Sequence, residues 1–441
     1  MPSQHFHTAI IGAGFCGTIT AANLSRLSPH LSIALIDQND AGRGLAYGTT
    51  DPDHLLNVRA GQMGAFPDEP DHFWRWLEKY PASTDQSPQS FMPRMIYGRY
   101  LTEILASAQT ANPNLKPLRH RITTMRRRPD GSFELTADDN QTITADRVVL
   151  ALGNFPPSQS TRDQGAMNPY RPDTWQQLAD DGDVLIVGTG LTAMDLIATL
   201  AKTKLSGTVH LLSRHGLLPR EHAKTTPHIL KLAAPHPTTA LALLKLLRKE
   251  IATHPEIAWQ SIIDALRPMN QTFWQSLNLT EQRRFLSHLR AYWDVHRHRC
   301  APEIMDAYRN LETQGRLKLH HGSIISQTVQ GKDWKITYRP RGKTQTETFT
   351  VRHITRCTGP QSDFAQLDDA LVQNLLQQGL ITPDLLHMGV ITQGYNICDA
   401  QGRALPNLYT IGSLLKGQLY ESIAVPELRT QASDIAKQIV Q

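Results

Sequence analysis

Only four cysteines occur among the 441 residues, and Cys16, Cys300, Cys357 and Cys398 stand far apart, with no C-x-x-C and no close pair. That spacing excludes a disulfide framework, a cysteine zinc site and a flavin-linked redox disulfide. Cys16 lies near a helix N-terminus, where a thiolate is favoured, but it reads first as a small packing residue under a phosphate loop. Long apolar runs are missing too, so no membrane segment is expected, and a first strand starting just after Met1 leaves no room for a signal peptide. The expected location is cytoplasmic. Charge of one sign is scarce: 45 Lys and Arg against 40 Asp and Glu leave +5, too little at this length to imply nucleic acid. A chain of this size holds two or three domains.

What the chain does have is glycine in two matching places. Gly12-Ala13-Gly14-Phe15-Cys16-Gly17 follows the apolar run His7 to Ile11, and Gly188-Thr189-Gly190-Leu191-Thr192-Ala193 follows Asp183 to Val187. Each run reads as a buried parallel strand, and each turn leads into a helix-forming stretch. A residue without a side chain lets a pyrophosphate approach the backbone, where its charge meets the positive N-terminus of the helix. One such motif is weak and two in the same context are much stronger. After the first turn a strand, Ser32 to Ile36, ends at Asp37, a carboxylate placed for ribose hydroxyls. After the second, Thr208 to Leu212 ends at Ser213-Arg214, and a guanidinium attracts a ribose 2'-phosphate that a carboxylate would repel. The first site therefore reads as FAD, with Gly12, Gly14, Gly17 and Asp37 as contacts. The second reads as NADPH, with Gly188, Gly190, Thr192 and Arg214.

The stretch Arg121 to Asn154 contains a turn at Asp130-Gly131-Ser132, a strand from Gln141 to Ala145 and an apolar close from Val148 to Gly153. Ser323 to Gly359 repeats that plan, with a turn at Gly331-Lys332-Asp333, a strand from Glu347 to Val351 and a close from His353 to Gly359. Both read as hairpin meanders returning to a parallel sheet. A last strand, Asn407 to Thr410, runs on to Gly412-Ser413. Ala223 to Asn310 shows no strand signal and reads as a helical insertion, a frequent source of active-site lids. Within it Asp294, His296, Arg297, His298 and Arg299 gather after Trp293. They fit a cationic pocket for a carboxylated substrate or a nucleotide phosphate, or a salt-bridged helix end; two histidines and one carboxylate among arginines fit a metal poorly.

The closing segments, Gly42 to Gly48, His54-Leu55-Leu56-Asn57-Val58, Phe66-Pro67-Asp68, Tyr97-Gly98-Arg99, Leu212 to Arg220, Trp293 to Arg299 and Ala424 to Arg429 carry a resemblance over nearly the whole length. The chain resembles the two-dinucleotide-binding-domain flavoproteins, in particular a bacterial family of FAD/NAD(P)-binding proteins related to flavin-containing, Baeyer-Villiger and N-hydroxylating monooxygenases. The resemblance implies an α/β fold with an FAD domain formed by residues 1–175 and 351–441. An NAD(P) domain, 176–350, lies between them and carries the insertion at about 223–310. Around the flavin, Gly153 and Gly412 mark the chain crossings. Arg43 is placed for a phosphate, Asn57, Met63 and Phe66 for the ring wall, and the amides of Ile423 and Ala424 for the flavin N1 and O2 side. Glu421 reads first as a solvated loop carboxylate and second as a candidate for proton transfer. For Met63 and Phe66 ordinary core packing is an equal reading. Two departures stand out: Ser413 occupies a place where such flavoproteins carry aspartate, and Ala193 replaces a third glycine, as is common with phosphorylated pyridine nucleotides.

The expected function is an FAD-dependent oxidoreductase in which NADPH reduces the flavin. Without a cysteine pair the expected acceptor is dioxygen, one atom of which enters a small molecule at an amine, a sulfur or a carbonyl group, with Asn57, His296, Arg297 and Glu421 as catalytic candidates. Two other readings stay open: a reductase or oxidase serving a quinone, a dye or a protein partner, and a slow redox sensor that holds both nucleotides. The residues set no oligomeric state.

Overall fold

The computed structural model describes residues 4–80, 86–157, 165–169, 174, 177–178, 181–230 and 237–441. The domain boundary expected at 175/176 lies outside the described residues. Among these residues sixteen strands follow in chain order: β1 (Gln4–Ile11), β2 (Ile33–Asp37), β3 (Leu115–Arg119), β4 (Ile122–Arg127), β5 (Phe133–Ala137), β6 (Thr142–Leu150), β7 (Ala166–Met167), β8 (Val184–Val187), β9 (Val209–Ser213), β10 (Leu317–Gln330), β11 (Asp333–Pro340), β12 (Glu347–Val351), β13 (His353–Arg356), β14 (Thr392–Gln393), β15 (Asn396–Cys398) and β16 (Ala404–Thr410).

They divide between two compact units. The first comprises Met1–Gly48, Val58–Pro156 and Gln361–Gln441; the second comprises Thr49–Asn57 and Pro157–Pro360. The first unit holds a sheet in the order β14-β15-β16-β6-β1-β2-β3, with β4 and β5 branching from β6. Strands β16, β6, β1, β2 and β3 run parallel. Their apolar runs follow from being covered on both faces: Ala9, Ile10, Ala34, Leu35, Val148 and Val149 have no exposed surface. Helix Phe15–Leu27 packs beside the C-terminal helix Val425–Val440. The two apolar segments expected at 141–145 and 148–153 form one strand, β6, because Asp146 and Arg147 continue the ladder instead of breaking it. Arg147 faces His7 across that pairing, nitrogen to nitrogen at 2.7 Å.

The second unit holds a sheet in the order β12-β11-β10-β9-β8-β13-β7. Its parallel half, β10-β9-β8-β13-β7, continues into an antiparallel hairpin set through the long β10. Among the described residues the insertion holds helices Ala240–Thr253, Trp259–Ala265, Asn270–Ser276, Leu279–Arg284, Arg290–Arg297 and Pro302–Thr313. A π-turn at Phe285–Leu289 lies between helices Leu279–Arg284 and Arg290–Arg297. Residues 223–230 carry no helix; Pro227 keeps the residue before it out of helical backbone.

One short segment departs from its neighbours in sequence. Thr49–Asn57 belongs to the second unit although Gly48 and Val58 belong to the first. Buried His54 hydrogen-bonds Thr49 Oγ1 through Nδ1 at 2.9 Å and Thr199 Oγ1 through Nε2 at 3.1 Å. Thr199 also donates to Asp51, and Lys202 pairs with Asp53, so this segment is fastened along helix Leu191–Lys202.

Candidate functional site

In the first unit the turn after β1 is shaped by its outer glycines. Gly12 has φ +101°, and a Cβ there would overlap the carbonyl of Ala151 just past β6. A Cβ on Gly17 would overlap the carbonyl of Gly12, so the helix sits on the turn at a distance only glycine permits. Gly14 is different. It is the N-cap of helix Phe15–Leu27, with an ordinary φ of −73° and no side-chain cap. A Cβ on it would meet only Gly44 Cα, at 3.5 Å. The fold does not require glycine there, and the bare backbone at the helix N-terminus leaves room for an anion such as a pyrophosphate. Asp37 Oδ2 accepts the Ala13 N–H at 2.8 Å and Oδ1 accepts the Asn39 N–H at 2.9 Å. Oδ1 also takes the Asn39 side-chain amide at 3.5 Å, and Oδ2 keeps a lone pair for a ribose hydroxyl.

The second unit repeats this construction. Gly188 has φ +105°, and its Cβ would overlap the carbonyl of Cys357 just past β13. The N–H of Gly188 reaches Leu212 O at 2.8 Å, as that of Gly12 reaches Ile36 O at 2.7 Å. Each closing strand thus buttresses its own glycine turn. Gly190 caps helix Leu191–Lys202 at φ −79°, and a Cβ on it would meet nothing within 4 Å. Ala193 fills the third position and is fully buried. Thr192 lies in the first turn of that helix. Ser213 stands where the first site has Asp37; its Oγ accepts from Thr189 Oγ1 at 3.1 Å and from the Gly216 N–H at 3.0 Å.

Arg214 is exposed beside His215, and Arg341 donates to His215 Nδ1. Burial, then Arg341 and Arg214, lower the His215 pKa. A neutral ring that accepts at Nδ1 carries its proton on Nε2, so this edge presents two guanidinium groups and an imidazole N–H. Such a cluster suits a phosphate. Arg341 could not be found from spacing, because its place depends on the β10–β11 hairpin returning beside the end of β9.

The chain returns to the first unit through β16. Gly412 has φ +80°, and a Cβ there would stand 3.3 Å from both Cys16 Sγ and Leu428 Cδ2. Burial pushes the Cys16 thiol up to about 12, which makes it a packing group against this turn. Ser413 Oγ donates to the carbonyl of Gly153, itself at φ +69°. Ile423 is exposed, Ala424 half-buried and the N-cap of Val425–Val440, and Glu421 is 9% exposed. Arg43 is exposed, its stem beside Gly98. Met63 and Phe66 are buried in the same unit: Met63 O accepts from Tyr97 Oη at 2.9 Å, and Phe66 lies under Arg26 at 3.8 Å.

The remaining candidates lie in the second unit. Asn57 offers its carbonyl to His222 Nε2 at 3.0 Å. His296 directs Nδ1 to Tyr292 O at 2.7 Å and sets its ring edge-on to Trp259 at 5.0 Å. Arg297 ends helix Arg290–Arg297 and is half-buried. Asp294 pairs with Arg290 at 3.4 Å and His298 at 3.9 Å, while Arg299 pairs with Asp264. No group of three or more metal-ligating side chains exists among the described residues. All four cysteines are free thiols. No helix of the described residues is long and apolar enough to cross a membrane.

The FAD-NAD(P)-binding family matches residues 9–155, from within β1 to just past β6. YdhS of Escherichia coli (strain K12), an uncharacterized protein, is 24% identical over 212 residues, which make up 44% of this chain and 39% of YdhS; the match spans well under half of that relative. Two solved structures follow the fold over nearly its whole length. DfoA from Erwinia amylovora, a cadaverine monooxygenase bound to FAD, is 14% identical with a TM-score of 0.67, covering 99% of this chain and 95% of its own. The ornithine N-hydroxylase KtzI of Kutzneria sp. 744, with reduced FAD, NADP+ and L-ornithine, is 15% identical with a TM-score of 0.67, covering 100% and 99%. At such identities the likeness is one of fold. Residues 9–155 thus match the FAD-NAD(P)-binding family model, and the chain as a whole shares the α/β fold of DfoA and KtzI.

Proposed function

We propose that the protein is an oxidoreductase that holds FAD at the Gly12–Gly17 turn and NADPH at the Gly188–Ala193 turn, and that it inserts one atom of dioxygen at the nitrogen of a small amine. The observation that carries this reading is the repeated cradle: in both turns the fold demands the first glycine and leaves the middle one, Gly14 or Gly190, open to a ligand. FAD, when bound, supplies a carrier that accepts hydride from NADPH and passes electrons on to dioxygen.

The chain's own residues do the binding and orienting. Asp37 accepts from the adenosine ribose of FAD, Arg43 balances its phosphates, and the amides of Ile423 and Ala424 favour negative charge at the N1 edge of the ring. Arg214, His215 and Arg341 distinguish NADPH from NADH by the 2'-phosphate. Glu421 serves proton transfer, Asn57 orients the reacting group, and His296 with Arg297 holds an anionic part of the substrate. Dioxygen as acceptor is supported by the four separate thiols, which offer no disulfide for electrons to enter. An amine as substrate is supported by the fold shared end to end with DfoA and KtzI.

Reconstitution tests the reading directly. Purified protein incubated with FAD and desalted should stay yellow at one FAD per chain and oxidise NADPH faster than NADH. A chain that retains no FAD contradicts it.

A further inference from the structure

Residues 412–422 leave the end of β16 and come back to their starting point. The closure is a triangle of hydrogen bonds. Ser422 Oγ donates to Gly412 O at 3.0 Å, the Gly412 N–H donates to Gln431 Oε1 at 2.9 Å, and Gln431 Nε2 donates to Ser422 O at 3.0 Å. All three members are buried: Ser422 has no exposed surface, Gln431 3%, and Gly412 lies against Cys16 and Leu428. It is a compact segment with adjoining ends, helical over Gly412–Leu415 and Lys416–Leu419. The segment ends on a costly conformation. Tyr420 has φ 59° and ψ −69°, and the Glu421 N–H donates to Leu419 O at 2.8 Å. That is a classic γ-turn, rare and strained, which persists only where its surroundings over-determine it.

We propose that Gln431 is a positioning residue for the flavin: reaching back from the second turn of helix Val425–Val440, its amide fixes Gly412 and Ser422, and through them Ser413, Ile423 and Ala424. The inference rests on the reading that FAD binds in this unit. Glutamine suits the task because the position needs an acceptor for one buried N–H and a donor for one buried carbonyl. A buried amide left without a partner costs more than the hydrogen bond alone contributes. Loss of Gln431 therefore releases the strained turn and shifts the donors that face the ring. The Gly12–Gly17 cradle stays in place, so FAD still binds but more weakly and in an altered field.

Two variants test this, read by FAD dissociation constant and by the midpoint potential of bound FAD, with thermal stability as a control. Gln431→Met keeps the length and removes both partners; FAD affinity should fall about tenfold, and the potential should become more negative than in the wild type. Gln431→Glu accepts from Gly412 when ionised but repels Ser422 O; once protonated it accepts and donates as glutamine does. Its FAD affinity should return toward the wild-type value as pH is lowered from 8 to 5, while the wild type shows no such recovery. A wild-type chain that binds FAD, with Gln431→Met equal to it in affinity and potential, overturns this inference alone. If Gln431→Met does not fold, a Gln431→Glu variant with no recovery at low pH overturns it. A wild-type chain that takes up no FAD instead defeats the functional reading on which the inference rests.

Discussion

A methyl group added at Gly12 and one added at Gly190 meet opposite surroundings, and this contrast separates a glycine that the fold requires from one that it does not. At Gly12 positive φ and the Ala151 carbonyl both exclude it; at Gly190 it points into open space at an ordinary φ. Gly190→Ala should therefore leave thermal stability within about 0.5 kcal/mol. Its NADPH dissociation constant should rise about tenfold, since intrusion into a close contact costs about 1–3 kcal/mol. Gly12→Ala should lower stability outright; melting curves and nucleotide titrations on both variants decide it. Arg214→Ala and Arg341→Ala should each weaken NADPH about ten- to a hundredfold and leave NADH nearly unchanged, from a charge-assisted contact of about 1.5–3 kcal/mol. Equal losses for both nucleotides would remove these residues from phosphate recognition. Arg214 was legible because it follows a strand end at fixed spacing from a glycine turn. Arg341 was not, because its partner His215 lies 126 residues earlier, and Gln431 was not, because no local pattern marks the closure of the segment it holds.

At the scale of elements, the two meanders were legible as a repeat, since period-two alternation and turn glycines are local signals. The crossing of 49–57 into the second unit was not, because it depends on the buried contacts of His54 with Thr199 rather than on any local pattern. The second meander also carries titratable groups. His210 Nδ1 lies 3.0 Å from His320 Nε2, His320 Nδ1 lies 3.1 Å from Tyr338 Oη, and Tyr338 donates to Glu347 at 2.6 Å. At the other end His210 Nε2 stands 3.4 Å from Asp183. Burial first, then the neighbouring His210, brings the His320 pKa down from 6.5 to about 4, and burial lowers that of His210. With the folded values depressed, the unfolded chain takes up protons first as pH falls. The second unit should thus hold this stability above pH 6.5 and lose it progressively toward pH 4, with no further loss from these groups below that. Denaturation of wild type and His320→Gln from pH 7.5 to 4 measures it: the variant should show a shallower slope, and identical slopes would contradict the assignment.

For the whole molecule, the fold class and both glycine turns could be read because they rest on backbone patterns that recur twice. The chemistry beyond reduction could not, because the acceptor leaves no comparable pattern in the chain. The central claim is that electrons from NADPH reach dioxygen and return as an oxygenated amine. The most direct measurement follows NADPH, dioxygen, hydrogen peroxide and hydroxylamine together in FAD-loaded protein, with and without a panel of small primary amines including cadaverine and ornithine. The account predicts slow NADPH oxidation alone and, with an accepted amine, faster oxidation with about one hydroxylamine formed per NADPH and little peroxide. One peroxide released per NADPH, with no hydroxylamine from any amine of the panel, would contradict it.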